Sequence, residues 1–282
     1  MSHLICYHHN RFASLEDVSI PVNDLGYQRG YGIFDFLRVA GERPLYVNDH
    51  LNRFFYSAAE MHLPVKQAKE ELLQIIRQMI SVNQLPYSGI RIMLSGGSSP
   101  DGYQITEPNL VIVQAPLTPP PDQLLLPGYK VVTYAHQRQM PHVKTTDYLM
   151  AIWLQPWVKE QGADDVLYHH NGIVSEFPRS NFFLVADEQS LVTPASNILH
   201  GVTRKQILQV AKAKGMNVVE KDISIEEIRS AKEAFISSST KRVIPIRQLD
   251  EIRFAPYTAA SVTAQLFGWL QQHEIATAAK AD

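Results

Sequence analysis

A chain of 282 residues, 45% hydrophobic and 19% charged, is long enough for one large core or two ordinary ones and lacks any tract biased towards disorder. A formal net charge of -2 excludes the strongly basic surface that nucleic acid or an anionic membrane selects. The start of the chain is not a signal peptide, no apolar run approaches the roughly 20 residues of a membrane span, and the single Cys6 excludes an internal disulfide and a multi-cysteine metal site. These features point to a cytoplasmic protein with no nucleic-acid or membrane partner.

Short strand-like runs open the chain at Arg38-Val39 and Leu45-Tyr46-Val47, and Asn48 or Asp49 can cap a helix from His50. Leu51, Phe54, Phe55, Ala58 and Met61 recur at three and four, the spacing of one buried helical face. A second helix is predicted over residues 67–82, followed by strands at 90–94 and 110–113. Thr118-Pro119-Pro120-Pro121-Asp122 and the later Pro127-Gly128 form a stiff connector, which divides the chain into 1–118, a linker at 119–128, and 129–282. Beyond it come a strand at 129–134 and a helix from a Thr145 or Thr146 cap to the Gln161-Gly162 stop. Strands follow at 165–168, 182–185 and 191–193, then a helix at 203–214 ended by Gly215, a strand at 234–237 and a last helix within 257–273. The mixture predicts two α/β domains with a ligand cleft between them.

Several polar residues stand where such a fold can present chemistry. Lys144 lies between a predicted strand and a predicted helix, and a lysine amine can form an imine with a carbonyl cofactor; most lysines are only solvated charges. Glu176 follows the strand-like Ile173-Val174-Ser175, and a carboxylate there could keep a pyridine nitrogen protonated or could simply end a strand at the surface. Gly201-Val202-Thr203-Arg204 opens a helix, where free amides and a hydroxyl suit a phosphate, although Thr203 could equally be an ordinary cap. Ser237-Ser238-Ser239-Thr240 offers hydroxyls for the same anion. Arg53, beside Leu51, Phe54 and Phe55, either neutralises an anion or snorkels to water. Together they supply an imine former, a pyridine partner and phosphate donors, the protein's share of pyridoxal chemistry.

In order, Gly26-Tyr27-Gln28-Arg29-Gly30-Tyr31-Gly32-Ile33-Phe34-Asp35, His50-Leu51-Asn52-Arg53-Phe54, Lys144, Glu176 through Asn181-Phe182-Phe183, Leu199-His200-Gly201-Val202-Thr203-Arg204, and Ser238-Ser239-Thr240 resemble the fold-type IV pyridoxal-phosphate enzymes. This is the family of D-amino acid transaminases, branched-chain aminotransferases and aminodeoxychorismate lyase. The resemblance implies a two-domain α/β fold with pyridoxal 5'-phosphate between the domains and Lys144 as its Schiff-base lysine. It also implies Glu176 at the pyridine nitrogen, Leu199 against the ring, and Arg53, Val202, Thr203, Ser239 and Thr240 around the phosphate. A homodimer is implied too, with the Gly26-to-Phe34 elements of one subunit near the other's pocket. The sequence departs from the family at Pro178, where a small residue is usual, and Arg179 adds a charge beside it.

The expected reaction moves an amino group between an amino acid and a 2-oxo acid. The family's D-amino acid branch resembles a tyrosine plus Arg-x-His as its carboxylate trap. Here Phe34 stands at the tyrosine position and Ser95-Gly96-Gly97-Ser98 holds neither arginine nor histidine. Arg29 and Arg91 are the alternative guanidinium pair, or else structural ion-pair residues. Compact length and the motifs around Gln28 and Ser237 favour a D-amino acid substrate, with a branched-chain L-amino acid enzyme or an aminodeoxychorismate-type lyase as alternatives. A metal hydrolase is disfavoured because His8-His9 and His169-His170 are adjacent pairs, which strands would point to opposite faces. A non-catalytic binding protein would need neither Lys144 nor Glu176.

Overall fold

The computed structural model describes residues 4–120, 122–124 and 126–279. Met1–His3 of the N-terminal reading, and Pro121 and Leu125 of the expected connector, lie outside the described residues. Helices and strands are mixed throughout, as the α/β expectation requires, and the chain forms two compact units.

The first unit takes in the chain up to Pro119 and also the segment Val143–Asp147. Its sheet is antiparallel, in the order Arg11–Ser14, Ile5–His8, Asn109–Pro116, Tyr87–Ser95, Gly32–Ala40, Arg43–Pro44. Helices Val47–Glu60 and Lys69–Asn83 present Leu51, Phe54, Ala58, Leu72, Ile76 and Met79 to it. The sheet answers with Ile33, Leu37 and Val39, alternate residues of one strand. Asp35 belongs to the same inward register and is fully buried.

Two local expectations change here. Leu45-Tyr46-Val47 is not a strand: Tyr46 takes the left-handed conformation (φ 53°) and becomes the N-cap, so the helix begins at Val47 rather than His50. Nor do His8 and His9 point apart. His9 leaves the strand with φ 50°, and the two rings lie 3.8 Å centroid to centroid.

In the second unit the strands run, side by side, Asn217–Glu220, Ser190–Thr193, Ser180–Asp187, Glu233–Ser238, Arg242–Leu249, Tyr129–Ala135, Asp165–His170, Ile173–Val174 and Ile223–Ser224. Helices Val202–Ala213 and Val262–Ala279 enclose a core of Phe183, Phe235, Ile207, Leu266 and Leu270, in which the Phe183 and Phe235 rings stack at 4.7 Å. The single helix expected over 145–161 is two short ones, Leu149–Trp153 and Gln155–Glu160. Pro156 has no N–H to continue a ladder and sits in the first turn of the second. Thr145 and Thr146 cap nothing; they pair with the strand Gly32–Ala40, through an Ile33–Thr145 bridge and Thr146 N–H to the Gly32 carbonyl at 2.9 Å.

Candidate active site

Lys144 is held by its backbone. Its N–H donates to Ser57 Oγ at 3.2 Å and its carbonyl accepts from Phe34 N–H at 3.0 Å, so the segment is clamped between a helix and a strand edge. The side-chain amine then lies 4.5 Å from the centroid of the Phe34 ring. Phe34 pairs with Met93 and Phe36 with Arg91 across the ladder, which places all four on one sheet face, opposite the helices. The structure therefore brings Arg91, exposed on that face, to the same side of the sheet as the Lys144 amine.

On the helix side, Asp35 collects Arg53 and His50. Arg53 donates from Nε to Asp35 Oδ2 at 2.8 Å and from Nη2 to Oδ1 at 2.9 Å, a bidentate pair, and His50 Nδ1 meets Oδ1 at 2.7 Å. Arg53 does not snorkel: its side chain is 11% exposed and ion-paired. Burial alone would push the Asp35 carboxyl up, but Arg53 and His50 outweigh it and hold it well below the usual carboxylate range. Burial pushes His50 down; Asp35 opposes this, while Arg53 and Lys144 reinforce it.

In the second unit Glu176 does not end the preceding strand. Ser175 breaks away, and Glu176-Phe177 forms its own hairpin with Ser180-Asn181. Pro178 stands at the first turn position, where its fixed φ is tolerated and no ladder donor is needed, and Arg179 is exposed. Glu176 is buried, yet both its oxygens are occupied. Arg138 Nη1 donates to Oε1 at 2.7 Å, and Leu199 N–H and Asn181 Nδ2 donate to Oε2 at 3.0 and 3.2 Å. A carboxylate so supplied with donors is held in one orientation.

Helix Val202–Ala213 starts at Gly201, whose side-chain-free N-cap leaves the first amides to other acceptors. Thr203 is thus the second helical residue rather than the cap, and it is buried with Val202. A Cβ on Gly201 would lie 2.0 Å from Asn181 Oδ1, so any side chain here must displace the Asn181 amide. Arg204 turns away to the Pro194 carbonyl and Glu220, both at 2.9 Å. Ser239 and Thr240 occupy the turn after Glu233–Ser238, and the buried Ser237 Oγ before them has no partner among the described residues. Arg29 is exposed at the end of helix Leu25–Arg29, where Nε donates to the Gly102 carbonyl at 3.1 Å.

Arg138, Asn181, Asp35 and His50 were not singled out by sequence reasoning as functional. Asp35 did carry a signal, a charge in an inward strand register, and His50 and Arg53 share a helix face at i,i+3. Nothing in the spacing marks Arg138 as the partner of Glu176.

With this geometry, relatives become informative. A model of amino-transferase class IV matches residues 32–249. The D-alanine aminotransferase of Listeria monocytogenes (strain 10403S) is 27% identical over 266 residues, 91% of each chain. The branched-chain amino acid aminotransferase of Escherichia coli superposes with a TM-score of 0.83 at 24% identity, covering 93% of this chain and 91% of that one. A branched-chain amino acid aminotransferase from T.th., solved with pyridoxamine 5'-phosphate, gives 0.89 at 19% identity, over 98% and 96%. A match over residues 32–249, with Lys144 and Glu176 inside it, settles the family: the chain belongs to the class IV aminotransferases. It is a pyridoxal-phosphate-dependent transferase of amino groups, acting on amino acids and 2-oxo acids.

Proposed function

We propose that this enzyme transfers the amino group of a D-amino acid to a 2-oxo acid, with Lys144 as the lysine that carries pyridoxal 5'-phosphate. The observation that carries the choice of hand is the likeness to D-alanine aminotransferases over 91% of the chain. The residues fit the cofactor. A capless helix start at a glycine and a buried serine hydroxyl without a partner among the described residues suit a phosphate; a buried carboxylate fixed in orientation by Arg138, Asn181 and Leu199 suits a pyridinium.

When bound, the cofactor supplies an aldehyde that condenses with amines and a ring that accepts electron density from the substrate's α-carbon. Lys144 Nζ takes the α-proton as base and returns it as acid. Glu176 would keep the ring nitrogen protonated, Leu199 would supply an apolar contact to the ring, and Arg53, Val202, Thr203, Ser239 and Thr240 would hold the phosphate. Arg91, paired with Phe36 on the sheet face that carries Phe34, meets the substrate carboxylate; Arg29 completes the clamp from the second subunit of a homodimer.

The visible absorption spectrum of the purified protein tests this, recorded before and after excess D-alanine without a 2-oxo acid. A yellow band that fades with D-alanine and not with L-leucine is the expected result. Fading with L-leucine alone would replace the reading by a branched-chain L-amino acid enzyme. Pyruvate released from aminodeoxychorismate without an acceptor would make it a lyase. No band after added pyridoxal phosphate would overturn the cofactor site.

A further inference from the structure

Asp35 and His50 form a deeply buried titratable pair of the first unit, at 0% and 2% exposure, and the reaction as described uses neither. Asp35 sits where the alternation Ile33, Leu37, Val39 calls for an apolar side chain. Burying a charge there is costly unless it is paired, and the pairing found is with Arg53 through two parallel hydrogen bonds. We propose that Asp35 and His50 are positioning residues for Arg53, fixing the plane of its guanidinium so that it meets the cofactor phosphate already oriented.

The inference rests on the reading of Arg53 as a phosphate ligand. Three features support it. The carboxylate grips the Nε–Nη2 edge, the side-on fork that sets both tilt and rotation of the guanidinium. His50 Nδ1 holds the same carboxylate from one helical turn away, so Asp35 itself cannot rotate. Both Arg53 and His50 come from helix Val47–Glu60, which also carries Ser57, the acceptor for the Lys144 backbone. One helix thus holds the guanidinium and the lysine segment in a common frame. Two effects of removing the Asp35 charge oppose each other. The positive charge of Arg53 would be less offset, which attracts phosphate, but the guanidinium would lose the fork that aims it. Directed hydrogen bonds to phosphate depend steeply on angle, so orientation is the larger effect.

The test compares pyridoxal phosphate with pyridoxal, which lacks the phosphate, as ligands of the full-length chain. Asp35→Asn keeps the shape and removes the charged fork. Its affinity for pyridoxal phosphate should fall about tenfold, the scale of one charge-assisted hydrogen bond, with pyridoxal affinity unchanged. His50→Gln should give the same selective loss, about threefold, and it decides the matter if Asp35→Asn does not fold. Equal losses for both ligands would show a merely structural role, and a gain for pyridoxal phosphate would show that charge outweighs orientation; either overturns the proposal. Wild-type protein that binds neither ligand would instead remove the phosphate reading of Arg53, and the proposal with it.

Discussion

Asn181 and Leu199 are tied by one side-chain amide: Asn181 Nδ2 donates to the Leu199 carbonyl at 2.8 Å and to Glu176 Oε2 at 3.2 Å, while Leu199 N–H returns to that same oxygen at 3.0 Å. The three residues come from different places along the chain, and Gly201 lies against the far side of the same amide. The Asn181 amide that helps orient Glu176 therefore keeps its place because residue 201 carries no Cβ.

Replacing Gly201 with alanine tests this. The new Cβ, 2.0 Å from Asn181 Oδ1, must displace the amide and open its bonds to Leu199 and Glu176. Overpacking of this kind costs about 1–3 kcal/mol, measurable by urea denaturation, and cofactor affinity should fall with it. Asn181→Ala, which makes room but removes the donor, should weaken cofactor binding without the steric cost.

Arg138→Leu should lower the stability of the fold. Arg138 is 16% exposed and Glu176 5%, so the change strands a buried carboxylate. Removing one partner of such a pair costs about 3 kcal/mol. Thermal melts should show the loss, and Arg138→Lys should restore only part of it because a point charge replaces a planar donor.

Arg91 and Arg29 predict a split in kinetic constants. If they clamp the substrate carboxylate, Arg91→Ala and Arg29→Ala should raise KM at least about tenfold, the worth of a charge-assisted hydrogen bond, with little change in the cofactor spectrum. Unchanged KM in both variants would assign them to structural contacts such as that between Arg29 and the Gly102 carbonyl.

Stability should decline as pH falls through the ordinary histidine range. Burial lowers the His50 pKa below its unfolded value, so between the two values the unfolded chain binds the extra proton and gains. The stabilisation is complete above the unfolded pKa and is lost as pH falls towards the folded one. Asp35, also lowered, adds a second loss that begins as pH falls into the ordinary carboxylate range and continues below it. Chemical denaturation at stepped pH should show both phases, and His50→Gln should flatten the first.

Much of the fold was legible because burial imposes a period. The strands at 90–94, 110–113, 129–134 and 182–185 and the helix at 67–82 all lie within or across observed elements, with ends shifted by a few residues. The failures have local causes. Arg242–Leu249 carries Pro245, a residue that argues against a sheet interior; here it pairs with Phe235, and the ladder on the other side slips its register between Ile246 and Gln248. The Val47 helix start was hidden because Tyr46, not a usual capping residue, adopts a positive φ.

By itself the sequence determined the family, through motifs whose order survives along the chain, and it named the chemical candidates, because an imine needs an amine and a phosphate needs amides and hydroxyls. It could not determine what holds those groups. Arg138 reaches Glu176 across 38 positions, Ser57 reaches Lys144 across 87, and Asp35 meets Arg53 from a different element. Such pairings depend on which strand edge and which helix face are brought together. Long-range packing sets those contacts, and no spacing along the chain encodes them.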